Sequence, residues 1–515
     1  MTTPGASRSG GAWLAAALAW LAASAWIRPL MLPDEGRYVG VAWEMLRSGD
    51  WLTPTLNGMP YFHKPPLFYW ITASGLAVAG RVEWAARLAP WLGAAAMVVA
   101  LFLFTRRWAG KREALRNLLV LATLPIAFVA AQFANLDMLV AGCISATVPC
   151  LAHAALTAAG PSQRLALWGG YVGAALGLLA KGLIGVVLPG MIVVLWLLVC
   201  GRPRRILSLI SLPGLLLFAA VGAPWFVLME ARHPGFLHYF FVVHHFSRFT
   251  QTGFNNPEPF WFYPVVLALL ALPWTLWLLR RPAPSPALPN DATTLDRLMW
   301  VWLAVVVGFF SLPASKLVGY ILPALPPLAW LIARRMPAAL TTTPRRLAIA
   351  SAVLGSAAAV ATILFATFGP HRSARGLGQA MAAAPPVDAV LMIEGYDFDL
   401  PFYAGLRGPV WVADQWDDPA IRREDSWRKE LLEAADFAPA LRDRLLPLTL
   451  LASRDCPGAR TWVVAPADAP DYYPELLDGA TAVPTSRERS AFLVTGWSPP
   501  GRCPGKPSAT PAGRS

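Results

Sequence analysis

Long apolar runs fill the chain from residue 12 to residue 368, and the gaps between them are short and rich in arginine. Segments near 12–30, 88–105, 115–134, 138–157, 166–180, 183–200, 206–229, 261–279, 298–314, 317–333 and 347–368 predict membrane-spanning helices, the hydrocarbon core needing about 20 residues. The run from Leu67 to Gly80 is apolar but only 14 residues long, about 21 Å of helix. It predicts a juxtamembrane or re-entrant helix, entered through Pro65 and Pro66, which suit a first helical turn.

After Gly369 the pattern changes, and short apolar runs alternate with charged and proline-rich stretches. Ala389–Ile393, Val410–Ala413 and Thr461–Ala465 predict strands, and Asp425–Ala435 predicts a helix. The expected organisation is a membrane domain over 1–369, a small soluble α/β domain over 370–500 and a disordered tail over 501–515.

Composition agrees with many spans, since 56% of residues are apolar and 14% charged, against roughly a quarter charged in a soluble domain. The formal charge of +13 does not point to nucleic acid, because the arginines sit in pairs between apolar runs and make no patch. They fall in alternate gaps, at Arg106 and Arg107, Arg202 to Arg205, Arg280 and Arg281, and Arg334 and Arg335. The positive-inside rule makes those gaps cytoplasmic. The N-terminus is then expected inside, as a retained span without a cleavage site, with a first outer loop over 31–87 and a periplasmic C-terminal domain. Cys143, Cys150 and Cys200 fall in spans, while Cys456 and Cys503 fall in the outer domain, where an oxidising compartment lets them pair or stay free.

This topology sorts the ionisable residues. The polar stretch 34–70 holds Asp34, Glu35, Arg37, Tyr61, His63 and Lys64, and it lies outside together with Glu83, Asp137, Lys181, His244, His245, Arg248, Lys316 and Tyr320. Singly, a lysine at a span end is most often a snorkelling anchor and a lone histidine a packing residue. Lys181 and Lys316 resist that reading because the rule disfavours positive charge outside. Together the set suits group transfer from a lipid-linked phosphate. Lys64, Lys181 and Arg248 can neutralise a phosphate, and Asp34 can take a proton from an attacking hydroxyl or stabilise positive charge at a sugar carbon.

The succession DEGRYVGVAWEMLRSGDW, YFHKPPLFYW, EWAARL, ANLDMLV, LLAKGLIGVVLPG, PWFVLMEARHPGFLHYFFVVHHFSRFT and KLVGYILPALPPLAW, over roughly residues 12 to 335, resembles bacterial C-type (GT-C) glycosyltransferases. The branch is that of the aminoarabinose lipid A transferases, within the protein mannosyltransferase superfamily. The resemblance implies a polytopic α-helical membrane enzyme of about 11–13 transmembrane helices, in the bacterial inner membrane and surrounded by its lipids. Its donor is a sugar, aminoarabinose-like or a hexose, on polyprenyl (undecaprenyl) phosphate, and its acceptor is lipid A or another envelope glycan or protein. Residue by residue it implies Asp34 and Asp137 as catalytic acids, and Tyr61, Lys64, Lys181, Arg248 and Tyr320 as contacts to the donor phosphate. The family commonly has Glu before the KPP lysine, where this chain has His63. A divalent metal such as zinc would then draw on His63 and His244, two ligands short of a full shell.

Two readings from other classes stand beside this one. A lipid-linked sugar transporter or flippase would also have many spans, but such proteins place ionisable residues near the midplane and carry repeats, and no repeat is visible here. A scaffold with a periplasmic binding domain would leave the motifs of residues 34–70 without a task.

Overall fold

The computed structural model describes residues 5–247, 256–282, 292–337, 342–369, 372–451, 454–484 and 489–503. Two compact units emerge, one of Met1–Arg28 with Phe62–Pro370 and the other of Pro29–Tyr61 with His371–Ser515. The polar stretch 34–70 is therefore divided between them after Tyr61.

The first unit is helical. Among the described residues, five helices are long and apolar enough to cross a membrane: Leu88–Trp108, Leu136–Leu156, Leu212–Arg232, Thr293–Ser311 and Thr342–Phe368. A sixth span arises if Gly110–Thr123 and Pro125–Ala131, bent by 67°, are counted as one. The bend has a local cause: Pro125 pushes Leu124 into extended backbone (ψ 122°) and cannot donate to the preceding turn.

Of the other expected spans, 166–180 lies within the unbroken helix Pro161–Lys181, and the rest are helical but shorter or broken. Residues 12–30 hold helix only to Ala22. The run 261–279 divides at Pro273 into Phe262–Leu270 and the 3₁₀ segment Trp274–Leu279. The run 317–333 begins as 3₁₀ over Val318–Ala324, which contains Pro323, and continues as helix over Leu325–Ala333, with Pro326 and Pro327 in its first turn. The short helix expected at Leu67–Gly80 runs Leu67–Ala79, directly after Pro66.

Glycine allows a close helix crossing. A Cβ on Gly142 would strike the backbone of Gly93, and one on Gly93 the backbone of Met138 and Leu139. Leu88–Trp108 and Leu136–Leu156 thus touch backbone to backbone, as small-residue interfaces allow where lipid removes the hydrophobic drive.

The second unit is built on a six-stranded sheet. Its strands are β1 (Ala389–Ile393), β2 (Trp411–Asp414), β3 (Leu445–Pro447), β4 (Arg460–Pro466), β5 (Thr481–Pro484) and β6 (Arg489–Thr495), in the order β3-β2-β1-β4-β6-β5. The first four are parallel, and β6 pairs antiparallel with both β4 and β5. All five residues of β1 are buried, as a central parallel strand requires. Leu391, Ile393, Val463, Phe492, Val494 and Trp497 form one core beneath it. Helix Trp427–Asp436 begins at Ser426, whose hydroxyl accepts from the Lys429 amide. Cys456 and Cys503 form a disulfide, while Cys143, Cys150 and Cys200 are free thiols.

The segment Pro29–Tyr61 joins this sheet domain with structure of its own. Asp34–Ser48 is a helix of 15 residues, closed by Gly49 in left-handed backbone (φ 73°). A two-strand hairpin follows, turning at Asn57 and Gly58 with φ of 54° and 69°. Buried Glu44 holds that turn, its carboxylate accepting from the Thr55 hydroxyl and from the Asn57 and Gly58 amides, each at 2.8 Å.

Candidate functional site

Within the first unit, two successive helices bring a carboxylate and an amine together. Leu136–Leu156 and Pro161–Lys181 each have 21 residues and are joined by a short turn, so the start of one is level with the end of the other. Asn135 caps the first helix by accepting from the Asp137 amide at 3.0 Å, which fixes Asp137 in the opening turn. Lys181 is the last residue of the second helix, before Gly182 at φ 93°. The Lys181 ammonium donates to the Asp137 carboxylate, and both side chains are largely buried. The acid stands at a helix N-terminus and the cation at a C-terminus, where each helix dipole favours it.

Tyr320 forms the third side. The Lys181 Nζ lies 4.2 Å from its ring centroid, a cation–π distance. A Cβ on neighbouring Gly319 would collide with the Asp137 carboxylate, so the close approach of this 3₁₀ segment depends on glycine there. Asp137, Lys181 and Tyr320, expected from the sequence to share a site, are brought together.

His63 and Lys64 lie half-buried in the same unit. Phe62 packs on the rings of His233 at 5.1 Å and Phe236 at 5.2 Å, and the His63 ring stacks on Tyr239 at 6.3 Å. This segment therefore approaches the π-helix His238–Ser247, which carries the two histidines of the HHF motif. The side chain of His244 and all of Arg248 lie outside the described residues. Among the described residues no group of three or more His, Cys, Asp or Glu could hold a metal ion, and His63 alone makes no shell.

Lys316 does not act as an open cation. It is buried, and its ammonium donates to the carbonyls of Glu258 at 2.7 Å, Pro313 at 2.6 Å and Ala314 at 3.4 Å. All three protons are used to tie the segment around Glu258 to the turn around Lys316.

Within the second unit the polar residues make a separate constellation. Asp34 opens helix Asp34–Ser48 and accepts from the Arg37 Nη2 at 2.5 Å, one turn along. The Arg37 Nη1 donates to Glu430 on helix Trp427–Asp436. Burial alone lowers the Arg37 pKa, but Glu430 first, with Tyr38, Tyr61 and Asp34 behind it, outweighs burial and leaves it raised well above the ordinary value. Tyr61 is itself buried, with its amide donating to Pro54 at 2.8 Å.

The two candidate acids thus share a design and differ in access. Each stands in a first helical turn and is paired with a cation, but the Asp34 side chain is 39% exposed and that of Asp137 11%. Glu430 was not foreseeable from sequence, because its contact with Arg37 spans 393 positions and its own segment signals only an amphipathic helix.

The family described as "Dolichyl-phosphate-mannose-protein mannosyltransferase" matches residues 63–227. An undecaprenyl phosphate-alpha-4-amino-4-deoxy-L-arabinose arabinosyl transferase from Sodalis glossinidius is 34% identical over 312 residues, covering 59% of this chain and 55% of its own length. One from Pseudomonas aeruginosa is 33% identical over 315 residues, with the same two coverages. The chain therefore spans little more than half the length of these relatives. In structure it is similar to ArnT from Cupriavidus metallidurans crystallised with undecaprenyl phosphate, at TM-score 0.78 and 25% identity, over 93% of this chain and 97% of that one. The apo form of that protein gives TM-score 0.75 at 24% identity.

Proposed function

We propose that this multi-pass membrane protein, which has the C-type glycosyltransferase fold and is similar to ArnT, moves a sugar from a polyprenyl-phosphate carrier to an envelope acceptor at the periplasmic face of the inner membrane. The observation that carries this reading is the set of Asp137, Lys181 and Tyr320, a lysine held by a carboxylate against an aromatic face at the mouth of a membrane-length helix pair. Such a cation is placed to neutralise a phosphate whose lipid tail stays in the bilayer.

The chemistry is one substitution at the sugar carbon C1. The bond from C1 to the carrier phosphate oxygen breaks, its electron pair leaves with polyprenyl phosphate, and a bond from C1 to an acceptor oxygen forms. Lys181 and Lys64, with Arg248, carry the charge that gathers on the leaving phosphate, and Tyr320 orients it. If the acceptor is a hydroxyl, its proton goes to Asp34. If it is a phosphate, as on lipid A, no proton moves and Asp34 stabilises positive charge at the sugar ring.

The sugar is aminoarabinose-like, following the names of the relatives, and lipid A is the first acceptor to test. The N-terminus is cytoplasmic and the sheet domain periplasmic. The disulfide in the sheet domain, beside free thiols in the helical unit, supports an oxidising location for the former. Transport of the carrier alone is not favoured, since the relatives are named as transferases. The test is mass spectrometry of lipid A and envelope glycans from a deletion strain and its complement. Loss of one sugar on one component, restored by the gene, is expected; an unchanged envelope would count against the proposal.

A further inference from the structure

We infer that Glu430 is a positioning residue for the transfer reaction, fixing through Arg37 the direction in which Asp34 presents its carboxylate. The inference rests on the reading of Asp34 as the group that faces the reacting centre. All three residues belong to the second unit.

Side-chain exposure rises along the string, from 8% at Glu430 to 17% at Arg37 and 39% at Asp34. The chain of charges is therefore anchored in packed protein and ends in an accessible carboxylate. Arg37 uses its two terminal nitrogens on two different carboxylates instead of forking onto one, and its Nε and the Glu430 Oε2 stay buried without a hydrogen bond. An ion pair serving packing alone would favour the two-armed fork. Divided between two helices, the guanidinium becomes a fixed point. Anchored to Asp34 alone, one turn away on the same helix, it would move with that residue.

The surroundings remove the remaining freedom. The rings of Tyr38 and Phe398 lie 5.1 Å and 5.8 Å from the guanidinium carbon. The helix bearing Asp34 is seated against the Phe398–Asp399 backbone, where a Cβ on Gly36 would meet the Asp399 nitrogen at 2.9 Å and one on Gly40 the Phe398 carbonyl at 3.0 Å. Placement of a reacting group to within a fraction of an ångström decides rate more than binding.

The experiment uses the purified full-length protein with undecaprenyl-phosphate-linked aminoarabinose and lipid A, reading kcat, donor KM and melting temperature. Glu430→Gln is expected to lower kcat by about tenfold or more with KM within about twofold, and to remove nothing further in an Arg37→Ala background. If Glu430→Gln melts too early to assay, Arg37→Lys, which keeps the charge but lacks the two-armed fork, is expected to reproduce the kcat loss. Full kcat in Glu430→Gln beside an inactive Asp34→Asn overturns this inference alone, as do losses in Glu430→Gln and Arg37→Ala that multiply. Wild-type transfer by Asp34→Asn removes the reading of Asp34, and this inference with it.

Discussion

Lys181 meets Asp137 across the mouth of a helical hairpin, 44 positions along the chain, with the face of Tyr320 closing the third side. Under the proposed function this lysine binds the donor phosphate. Lys181→Met keeps the stem and removes the charge, so donor KM is expected to rise about tenfold or more, a charge-assisted hydrogen bond being worth ~1.5–3 kcal/mol. Asp137→Asn added to Lys181→Met is expected to cost less than Asp137→Asn alone, because the two are coupled. Steady-state kinetics of the two single variants and the double variant checks this, and additive losses would break the pairing.

Gly142 and Gly93 let the helix that carries Asp137 lie against Leu88–Trp108. Gly142→Val is expected to destabilise the helical unit by about 1–3 kcal/mol or more, read as a lower melting temperature of the detergent-purified protein. Gly190→Ala is the control, since a Cβ there meets nothing within 4 Å, and it is expected to be neutral or slightly stabilising.

Asp399 makes the sheet domain sensitive to pH. Burial, the largest cause, raises its pKa to about 7, although its Oδ2 accepts from the Ser373 hydroxyl at 2.8 Å and the Ala374 amide at 2.9 Å. The folded state therefore holds a proton that the unfolded chain releases near pH 4. The resulting stability is full below that value and lost as pH rises through about 7. Wild-type protein is expected to melt lower at pH 8 than at pH 5.5, and Asp399→Asn to show a flatter dependence; equal slopes would contradict the assignment.

The disulfide between Cys456 and Cys503 closes a separation of 47 positions. Cys503→Ser, or reduction, is expected to destabilise the sheet domain by about 2–4 kcal/mol, seen as earlier proteolysis of residues 371–503.

Much of this was legible along the chain because it depends on local pattern. The short helix after Pro66 and the central strand Ala389–Ile393 follow from run length and composition, and the helix Trp427–Asp436 lies within two residues of its expected place. The motifs also identified the ArnT-like resemblance that the comparisons bear out. What was not legible depends on contacts distant in sequence. The order β3-β2-β1-β4-β6-β5 is set by packing, not by any one strand's pattern. Lys316 read as an outer-face cation of the site because nothing local signals three carbonyls closing on its ammonium. Asp34–Ser48 reads as polar loop, yet it is a helix whose buried Glu35 and Glu44 find partners in nearby backbone.

The most direct test of the central claim is mass spectrometry of purified protein reconstituted with undecaprenyl-phosphate-linked aminoarabinose and lipid A. Lipid A is expected to gain the mass of one sugar, with undecaprenyl phosphate released in equal amount. Carrier that crosses the bilayer with its sugar still attached, and no glycosylated product, would contradict it.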